Sequence, residues 1–285
     1  MSVTTNITAL NVDLHSHSTV SDGTMAPADL VSRAHERGVQ LLALTDHDEV
    51  RGLADARARA EELGLRFVPG VEISVTFAGR TVHIVGLNID SDHQALVDGL
   101  AFVRSGRMRR AQAMAAALAA GGIDDTLAGA LRHVANPDLV SRTHFARHLV
   151  ERGVASDMRA VFANYLADGK PGYVPHQWAS LAQAVGWIRD AGGAAVIAHP
   201  GRYRFSDTEQ WALLDAFKSL GGAALEVATS NHSAEQVQAY ARLAQEFELE
   251  GSRGSDFHGP GESHAELGAT FELPRDLRAV WDRFA

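Results

Sequence analysis

Short apolar runs alternate along the chain with longer segments in which apolar residues recur at helical spacing. The apolar runs predict strands, and they cover residues 7–12, 39–44, 65–69, 194–198, 223–227 and 249–251. The segments with helical spacing predict helices, and they cover residues 28–37, 49–63, 180–191, 208–220 and 234–246. Gly38 and Gly64 follow the first two helices, where glycine suits a helix end. This alternation predicts an α/β fold, either a barrel or an open sheet.

Two stretches depart from that rhythm. Residues 73–77 and 81–89 flank Ala78-Gly79-Arg80 and predict a hairpin-like pair of strands. From about residue 100 the chain reads as helical, with strong helix formers at 107–120 and a helix at 141–152 that has Ser141 as its N-cap. We therefore predict one main domain from residues 1–99 and 169–285, interrupted at residues 100–168 by a helical insert that covers it as a lid.

Composition narrows the class of protein. The chain has 285 residues, of which 46% are hydrophobic and 21% charged, as is ordinary for a globular protein. We expect neither a signal peptide nor a membrane span, and the absence of cysteine excludes a thiolate zinc site or a cysteine nucleophile. A cytoplasmic location is therefore expected. The net charge of −9 argues against a stable complex with long nucleic acid, although it leaves room for a local basic pocket.

Histidines and carboxylates collect at one kind of position, the carboxyl end of a predicted strand. The residues placed there are His15, His17, Asp46, His47, Glu72, His199, Asp256 and His258. In a parallel α/β barrel those ends converge on one face, whereas scattered surface histidines would have no reason to follow them. Imidazoles mixed with carboxylates suit manganese, iron or zinc better than calcium or magnesium. Because one ion needs only about three to six ligands, this many candidates predict two or three ions.

Five of these motifs, taken in order, resemble those of the polymerase and histidinol phosphatase (PHP) family. They are His15-x-His17, Thr45-Asp46-His47, Gly70-Val71-Glu72, Ala198-His199-Pro200 and Ser255-Asp256-Phe257-His258. The resemblance implies a distorted (β/α)7 barrel and phosphoester hydrolysis at a trinuclear centre, usually of manganese, iron or zinc. It also implies three ligand sets: His15, His17, Glu72 and Asp256 for the first ion, Glu72, His83 and His144 for the second, and Asp22, His47 and His258 for the third. Without the resemblance, His144 would read as a helix-surface histidine.

The substrate side is predicted from basic residues near the ligand-bearing segments. These are Arg107, Arg110, Arg142, Lys170, Arg202 and Arg204. Arginine gives bidentate contacts to phosphate, and Arg142 stands near a helix start, which also favours phosphate. Alternatively, Arg107 and Arg110 lie on a solvent-exposed helix face and do not bind substrate. Three residues are assigned catalytic roles. Arg142 would stabilise charge on the phosphate, and His199 would bind phosphate or donate a proton to the leaving oxygen. Asp46 is expected to orient metal ligands, a role also expected for Glu226. A core histidine is the alternative for His199.

The size and motif set resemble the stand-alone PHP subgroup, whose activities include a nucleoside 3′,5′-bisphosphate phosphatase and a 5′-to-3′ exoribonuclease on short RNA. We therefore predict a metal-dependent phosphatase that removes the 3′-phosphate from a nucleotide carrying a 5′-phosphate. Manganese is the expected metal. Its partner would be a small phosphorylated nucleotide or short RNA, and the oligomeric state is left open. Three alternatives stand beside it: a histidinol-phosphate phosphatase, a PHP module that binds metal without catalysis, and hydrolysis of a C–N bond.

Overall fold

A computed structural model describes residues 10–263 and 265–284 of the chain, so residues 7–9 of the first predicted strand lie outside the described part. Its strands are β1 (Val12–Asp13), β2 (Leu41–Leu44), β3 (Arg66–Phe77), β4 (Arg80–Leu87), β5 (Ala179–Ser180), β6 (Ala194–Ile197), β7 (Ala224–Thr229) and β8 (Glu250–Gly254). They form a sheet in the order β1-β2-β3-β4-β6-β7-β8, with β5 paired to β3. The sheet closes where Leu14 N donates to Arg253 O at 3.0 Å and Asp256 N donates to His15 O at 2.8 Å. The predicted α/β barrel is confirmed.

The distortion of the barrel comes from β4, which runs antiparallel to both β3 and β6. The other neighbours in that order pair in parallel. Residues 65–69 and 73–77, predicted as separate strands, belong to the single strand β3. Gly70 permits this continuity, because a Cβ there would lie 2.8 Å from Thr45 Cγ2 and 3.0 Å from Gly86 O.

Helices connect the strands and form the insert. They are α1 (Pro27–Glu36), α2 (Leu53–Leu63), α3 (Gln94–Arg104), α4 (Arg107–Ala120), α5 (Thr126–Leu131), α6 (Arg142–Glu151), α7 (Met158–Val161), α8 (Leu181–Asp190), α9 (Asp207–Ser219) and α10 (Ala234–Glu246). Ser141, Ser180, Ser206 and Ser233 open α6, α8, α9 and α10 with capping boxes. The helix predicted from residue 49 begins only at Leu53, because Glu49 Oε1 instead accepts from Val50 N and Arg51 N at 2.9 and 3.2 Å. Among the helices described, none combines the length and apolarity needed to cross a bilayer.

The packing explains why the strand runs are apolar throughout. Leu41 and Ala43 pack inside the barrel, while Leu42 and Leu44 pack against the surrounding helices. Alternate residues of a strand point to opposite faces, so a strand covered on both sides needs apolar residues at every position.

The insert has a separate hydrophobic core. Met114, Leu118, Phe145 and Leu149 pack there with other residues of the insert helices. Helix α3 crosses the predicted boundary at residue 100, and its Val103 packs in the barrel core. The division into two domains stays a prediction, and the hydrophobic cores put the change from barrel to insert after α3.

Candidate metal centre

The carboxyl ends of the barrel strands bring the predicted ligands together. Two backbone positions there are unusual for residues other than glycine: His199 follows β6 with φ of 25°, and Asp256 follows β8 with φ of 54°. Such positive φ values are sparsely populated and cluster at functional sites. These turns direct side chains from strands far apart in sequence toward one centre.

The first ligand group is fully buried. His15 Nε2 and His17 Nε2 each lie 3.2 Å from Glu72 Oε2, and 3.4 and 3.1 Å from Asp256 Oδ1. Their donor atoms lie close enough together to hold one ion. This is the set implied for the first ion by the family resemblance.

The second group also uses Glu72. His47 Nδ1 lies 3.0 Å from Glu72 Oε2, and His83 Nδ1 lies 2.9 Å from Glu72 Oε1. His199 Nε2 approaches the same Oε1 atom at 2.9 Å. Glu72 therefore stands between two groups, as a carboxylate that bridges two ions would.

His144 does not join Glu72 and His83 in the structure. Its Nδ1 accepts from Ser141 N at 3.0 Å and contacts Ser141 Oγ at 3.1 Å, completing the capping box of α6. It belongs to none of the convergent ligand groups found among residues 10–263 and 265–284. His199 also lies outside those groups, although its Nε2 is 2.9 Å from Glu72 Oε1, and the role of His144 as a ligand stays a prediction.

The third group contains Asp22, His47 and His258, together with His17. Asp22 Oδ1 lies 3.8 Å from His47 Nε2 and 3.4 Å from His258 Nε2. The rings of His47 and His258 stack on His17 at centroid distances of 4.6 and 4.2 Å. These contacts unite the residues implied for the third ion.

The donor atoms fit divalent cations. Glu72 Oε2, Asp22 Oδ1 and His47 Nδ1 are buried and make no hydrogen bond within the described part of the chain. A buried polar atom without a partner costs about 1–3 kcal/mol, and more if charged. Oxygen and imidazole nitrogen are the donors that manganese, iron and zinc accept, so a bound ion would satisfy these atoms.

Shifts in pKa set the protonation states of the ligand residues before metal binds. Burial alone would raise the pKa of Glu72, but His47, His15 and His83 outweigh it and hold that pKa well below its usual value. Burial lowers the pKa of His47 to about 3, and burial together with Arg202 lowers the pKa of His199 to about 4. At neutral pH the carboxylate is thus ionised and the two imidazoles are neutral, which are the forms that bind metal. Burial would lower the pKa of His17, but Asp256 and Glu72 outweigh it and raise that pKa to about 10, so an ion bound there would displace a proton.

Two further buried carboxylates hold the ligand-bearing loops. Glu226 Oε1 lies 2.9 Å from His15 Nδ1, and its Oε2 accepts from His199 N. Asp46 accepts from Ser18 N at 2.8 Å and from the hydroxyls of Ser18 and Ser21 at 2.6 Å each. Asp46 therefore braces the turn between His17 and Asp22, and its assignment as a catalytic residue stays a prediction.

An open cavity lies above these groups. Arg107, Arg110, Arg142 and Arg202 line it. Arg107 Nη2 pairs with Asp48 and lies 3.2 Å from Ser74 Oγ, so this guanidinium is already engaged. The guanidinium carbons of Arg107 and Arg110 lie 4.9 and 5.2 Å from the ring centre of Trp178.

The remaining basic residues differ in placement. Burial and the nearby positive charge of Arg107 lower the pKa of Arg142. Arg202 pairs with Asp256. Arg204 lines an adjoining cavity, whereas Lys170 is exposed and lines neither. The substrate-binding roles of all six basic residues stay predictions.

Comparison with known proteins identifies the family. The PHP domain model matches residues 13–230. The chain belongs to the PHP domain family. This PHP protein is 51% identical over 271 residues to the 3′,5′-nucleoside bisphosphate phosphatase of Chromobacterium violaceum, covering 95% of each chain. It is 45% identical over 275 residues to the 5′-3′ exoribonuclease Rnm of Escherichia coli, covering 96% of this chain and 93% of that one.

A solved structure supports the same assignment. It is described as an amidohydrolase from Chromobacterium violaceum with bound sulfate and no metal, and it matches this PHP protein with a TM-score of 0.93 at 50% identity. The match covers 96% of this chain and 95% of that one. The family and the barrel fold predicted from the motifs are thereby confirmed.

Sequence reasoning missed three residues that support the site of this PHP protein. Asp48 pairs with Arg107 and adopts a φ of 49° directly after His47. Asp13 accepts from Ser255 N and Gly268 N at 2.8 Å each, fixing the loop before Asp256. His83 N donates to Tyr203 Oη at 2.8 Å. Asp13, two residues before the His15-x-His17 motif, offered a signal, but nothing local in the sequence marks the contacts of Asp48 or Tyr203.

Proposed function

We propose that this protein is a metal-dependent phosphatase that removes the 3′-phosphate from nucleoside 3′,5′-bisphosphates and leaves the nucleoside 5′-monophosphate. The observation that carries the proposal is the sharing of Glu72 by two ligand groups directly beneath an arginine-lined cavity. Its relatives include a 3′,5′-nucleoside bisphosphate phosphatase and 5′-3′ exoribonucleases, which supports the same chemistry. Cutting short RNA from its 5′ end breaks the same P–O3′ bond, so we include it as a second activity.

The proposed cofactor is two or three divalent ions, with manganese first and iron or zinc as alternatives. We assign the first ion to the group of His15, His17, Glu72 and Asp256, and the second to the group of His47, Glu72 and His83. His199 Nε2, 2.9 Å from Glu72 Oε1, is placed to complete the second set. The third ion takes Asp22, His47 and His258. Ions bound in this way neutralise charge on the phosphoryl group and lower the pKa of water.

The protein's own groups would bind and orient the substrate. Arg142 is a half-buried cation in the first turn of α6 that lines the cavity above the ligand groups, and a helix N-terminus also favours phosphate. His199 has its pKa lowered to about 4, so near neutral pH its imidazole is neutral and lacks the second proton that a general acid would give up. We therefore propose ligand and phosphate contacts for His199, and we do not assign it as the general acid.

A substrate panel tests this function. Metal-free protein is supplemented with manganese and given adenosine 3′,5′-bisphosphate, adenosine 3′-monophosphate, histidinol phosphate or a 5′-phosphorylated RNA trinucleotide. We expect kcat/KM for the bisphosphate to exceed that for the 3′-monophosphate by ~100-fold, because the 5′-phosphate adds charge-assisted contacts. Preference for histidinol phosphate would contradict the proposal, and so would absence of phosphate release from every compound. Manganese as the native ion and a cytoplasmic location stay predictions.

A further inference from the structure

Two further cavities flank the metal centre and share its walls. The first lies on the side of β4 and the loop after β6, where His83 and His199 border it. The second lies on the side of the loop after β8, where Asp256 and His258 border it. We call them the β4 cavity and the β8 cavity. Each touches ligand groups of the centre, so a phosphorus atom held there could carry a substituent into either one.

The two cavities differ in charge. The β4 cavity is lined by Arg80, Arg142 and Arg204, which suits a 5′-phosphate. The β8 cavity is lined by Arg159, Arg202, Met158 and Asn231, with fewer arginines than the β4 cavity. Its Glu262 is neutralised, because Arg147 Nε and Nη2 donate to the two oxygens of that carboxylate at 2.9 and 2.7 Å. The β8 cavity therefore does not repel a nucleotide chain.

Phe162 joins the two cavities. It lines both of them and the central cavity, and it begins the π-helix Phe162–Leu166. Single π-helical turns occur frequently at functional sites. The guanidinium of Arg142 lies 5.9 Å from the ring centre, and a partly exposed aromatic face beside a cation is a platform on which a base can stack.

The chemistry of the substrate decides what each cavity can hold. In a nucleoside 3′,5′-bisphosphate the scissile phosphorus carries one nucleoside, which fills one cavity and leaves the other without an occupant. In a phosphodiester the same phosphorus carries a second nucleoside. Hydrolysis breaks the P–O3′ bond in both cases: water supplies hydroxyl to phosphorus and a proton to the 3′ oxygen, and the remaining chain keeps its 5′-phosphate.

We propose that the β8 cavity is the binding site for the nucleotide on the 3′ side of the scissile phosphate of an RNA chain, while the β4 cavity holds the departing 5′-phosphorylated nucleoside. Arg159 is exposed at the edge of the β8 cavity, and within the described residues no carboxylate pairs with it, so it is placed to meet the next phosphate of the chain. The inference rests on the proposed function, since it assigns a second subsite to the same reaction.

The test uses two substrates of the manganese-loaded protein, adenosine 3′,5′-bisphosphate and a 5′-phosphorylated RNA trinucleotide. The measured quantity is the ratio of kcat/KM for the trinucleotide to that for the bisphosphate. Met158→Trp fills the β8 cavity and should lower this ratio about tenfold, and Arg159→Ala should lower it about fivefold by removing one phosphate contact. Arg109→Ala, an exposed arginine on α4, is the matched control and should leave the ratio unchanged.

The outcomes separate the two proposals. If the unmodified protein does not hydrolyse the bisphosphate, the proposed function fails. If it does, and both variants keep the ratio within twofold of Arg109→Ala, the subsite is refuted. If Met158→Trp does not fold, its activity on the bisphosphate is lost as well, and Arg159→Ala on the protein surface then decides alone.

Discussion

Glu226 gives a sharp test of how the centre is held. It is buried, and each of its oxygens accepts a different hydrogen bond: Oε1 lies 2.9 Å from His15 Nδ1, and Oε2 accepts from His199 N. Glutamine keeps the size of the side chain but offers one oxygen in place of two. Glu226→Gln must therefore leave either His15 or the backbone of His199 facing an amide N–H. An unsatisfied buried donor costs about 1–3 kcal/mol.

The effect on metal binding follows from the same contact. The carboxylate fixes the His15 tautomer with its proton on Nδ1, which leaves Nε2 free to face Glu72 and Asp256. Loss of such a partner typically lowers metal affinity about 10–100-fold. We expect a fall of that size in Glu226→Gln, together with a decrease in melting temperature of about 4–6 °C.

Isothermal titration of metal-free protein with manganese measures the affinity, and thermal unfolding of the same samples measures the stability. Glu209→Gln makes the identical change in the capping box of α9, where glutamine also caps. If Glu226→Gln binds manganese as tightly as Glu209→Gln does, the orienting role of Glu226 is refuted.

Three further predictions concern the insert and its contacts. His144→Gln keeps the cap of α6 and should leave the manganese stoichiometry unchanged by elemental analysis; loss of one ion would restore His144 as a ligand. Folding lowers the pKa of His144 from 6.5 to about 4, so the native protein loses stability as pH falls from about 6.5 to 4. In His144→Gln, urea unfolding should show a loss of stability over this pH range that is smaller by about 2–3 kcal/mol. Arg142→Ala should raise KM for the bisphosphate at least about tenfold by removing phosphate contacts, and an unchanged KM in steady-state kinetics would speak against the assignment. Arg107→Leu leaves buried Asp48 without its partner and should cost about 3–5 kcal/mol in urea unfolding, most of it recovered by adding Asp48→Asn; a loss below about 1 kcal/mol would contradict a structural role for this pair.

The sequence predicted the barrel and most of the centre because their signals are local. An apolar strand followed by a polar turn marks the position of His47 or Asp256, and parallel strands then place such positions on one rim. The N-cap at Ser141 was also predicted, since a cap depends on residues within one turn; the part of His144 in that cap was not. These features need no knowledge of partners distant in the chain.

Other features depend on distant partners and could not be predicted. Arg107 lines the central cavity, but nothing near it in the sequence marks its pairing with Asp48, 59 residues earlier in the chain. The sequence predicted β4 as one arm of a hairpin. It gave no local signal for the antiparallel pairing of β4 with β6, which distorts the barrel.

Anomalous diffraction at the manganese edge, from crystals grown with manganese, tests the central claim most directly. The account predicts one peak among His15, His17, Glu72 and Asp256, and a second on the side of Glu72 that faces His83 and His199. Peaks confined to the surface of the insert, or no peak within ligand distance of Glu72, would contradict it.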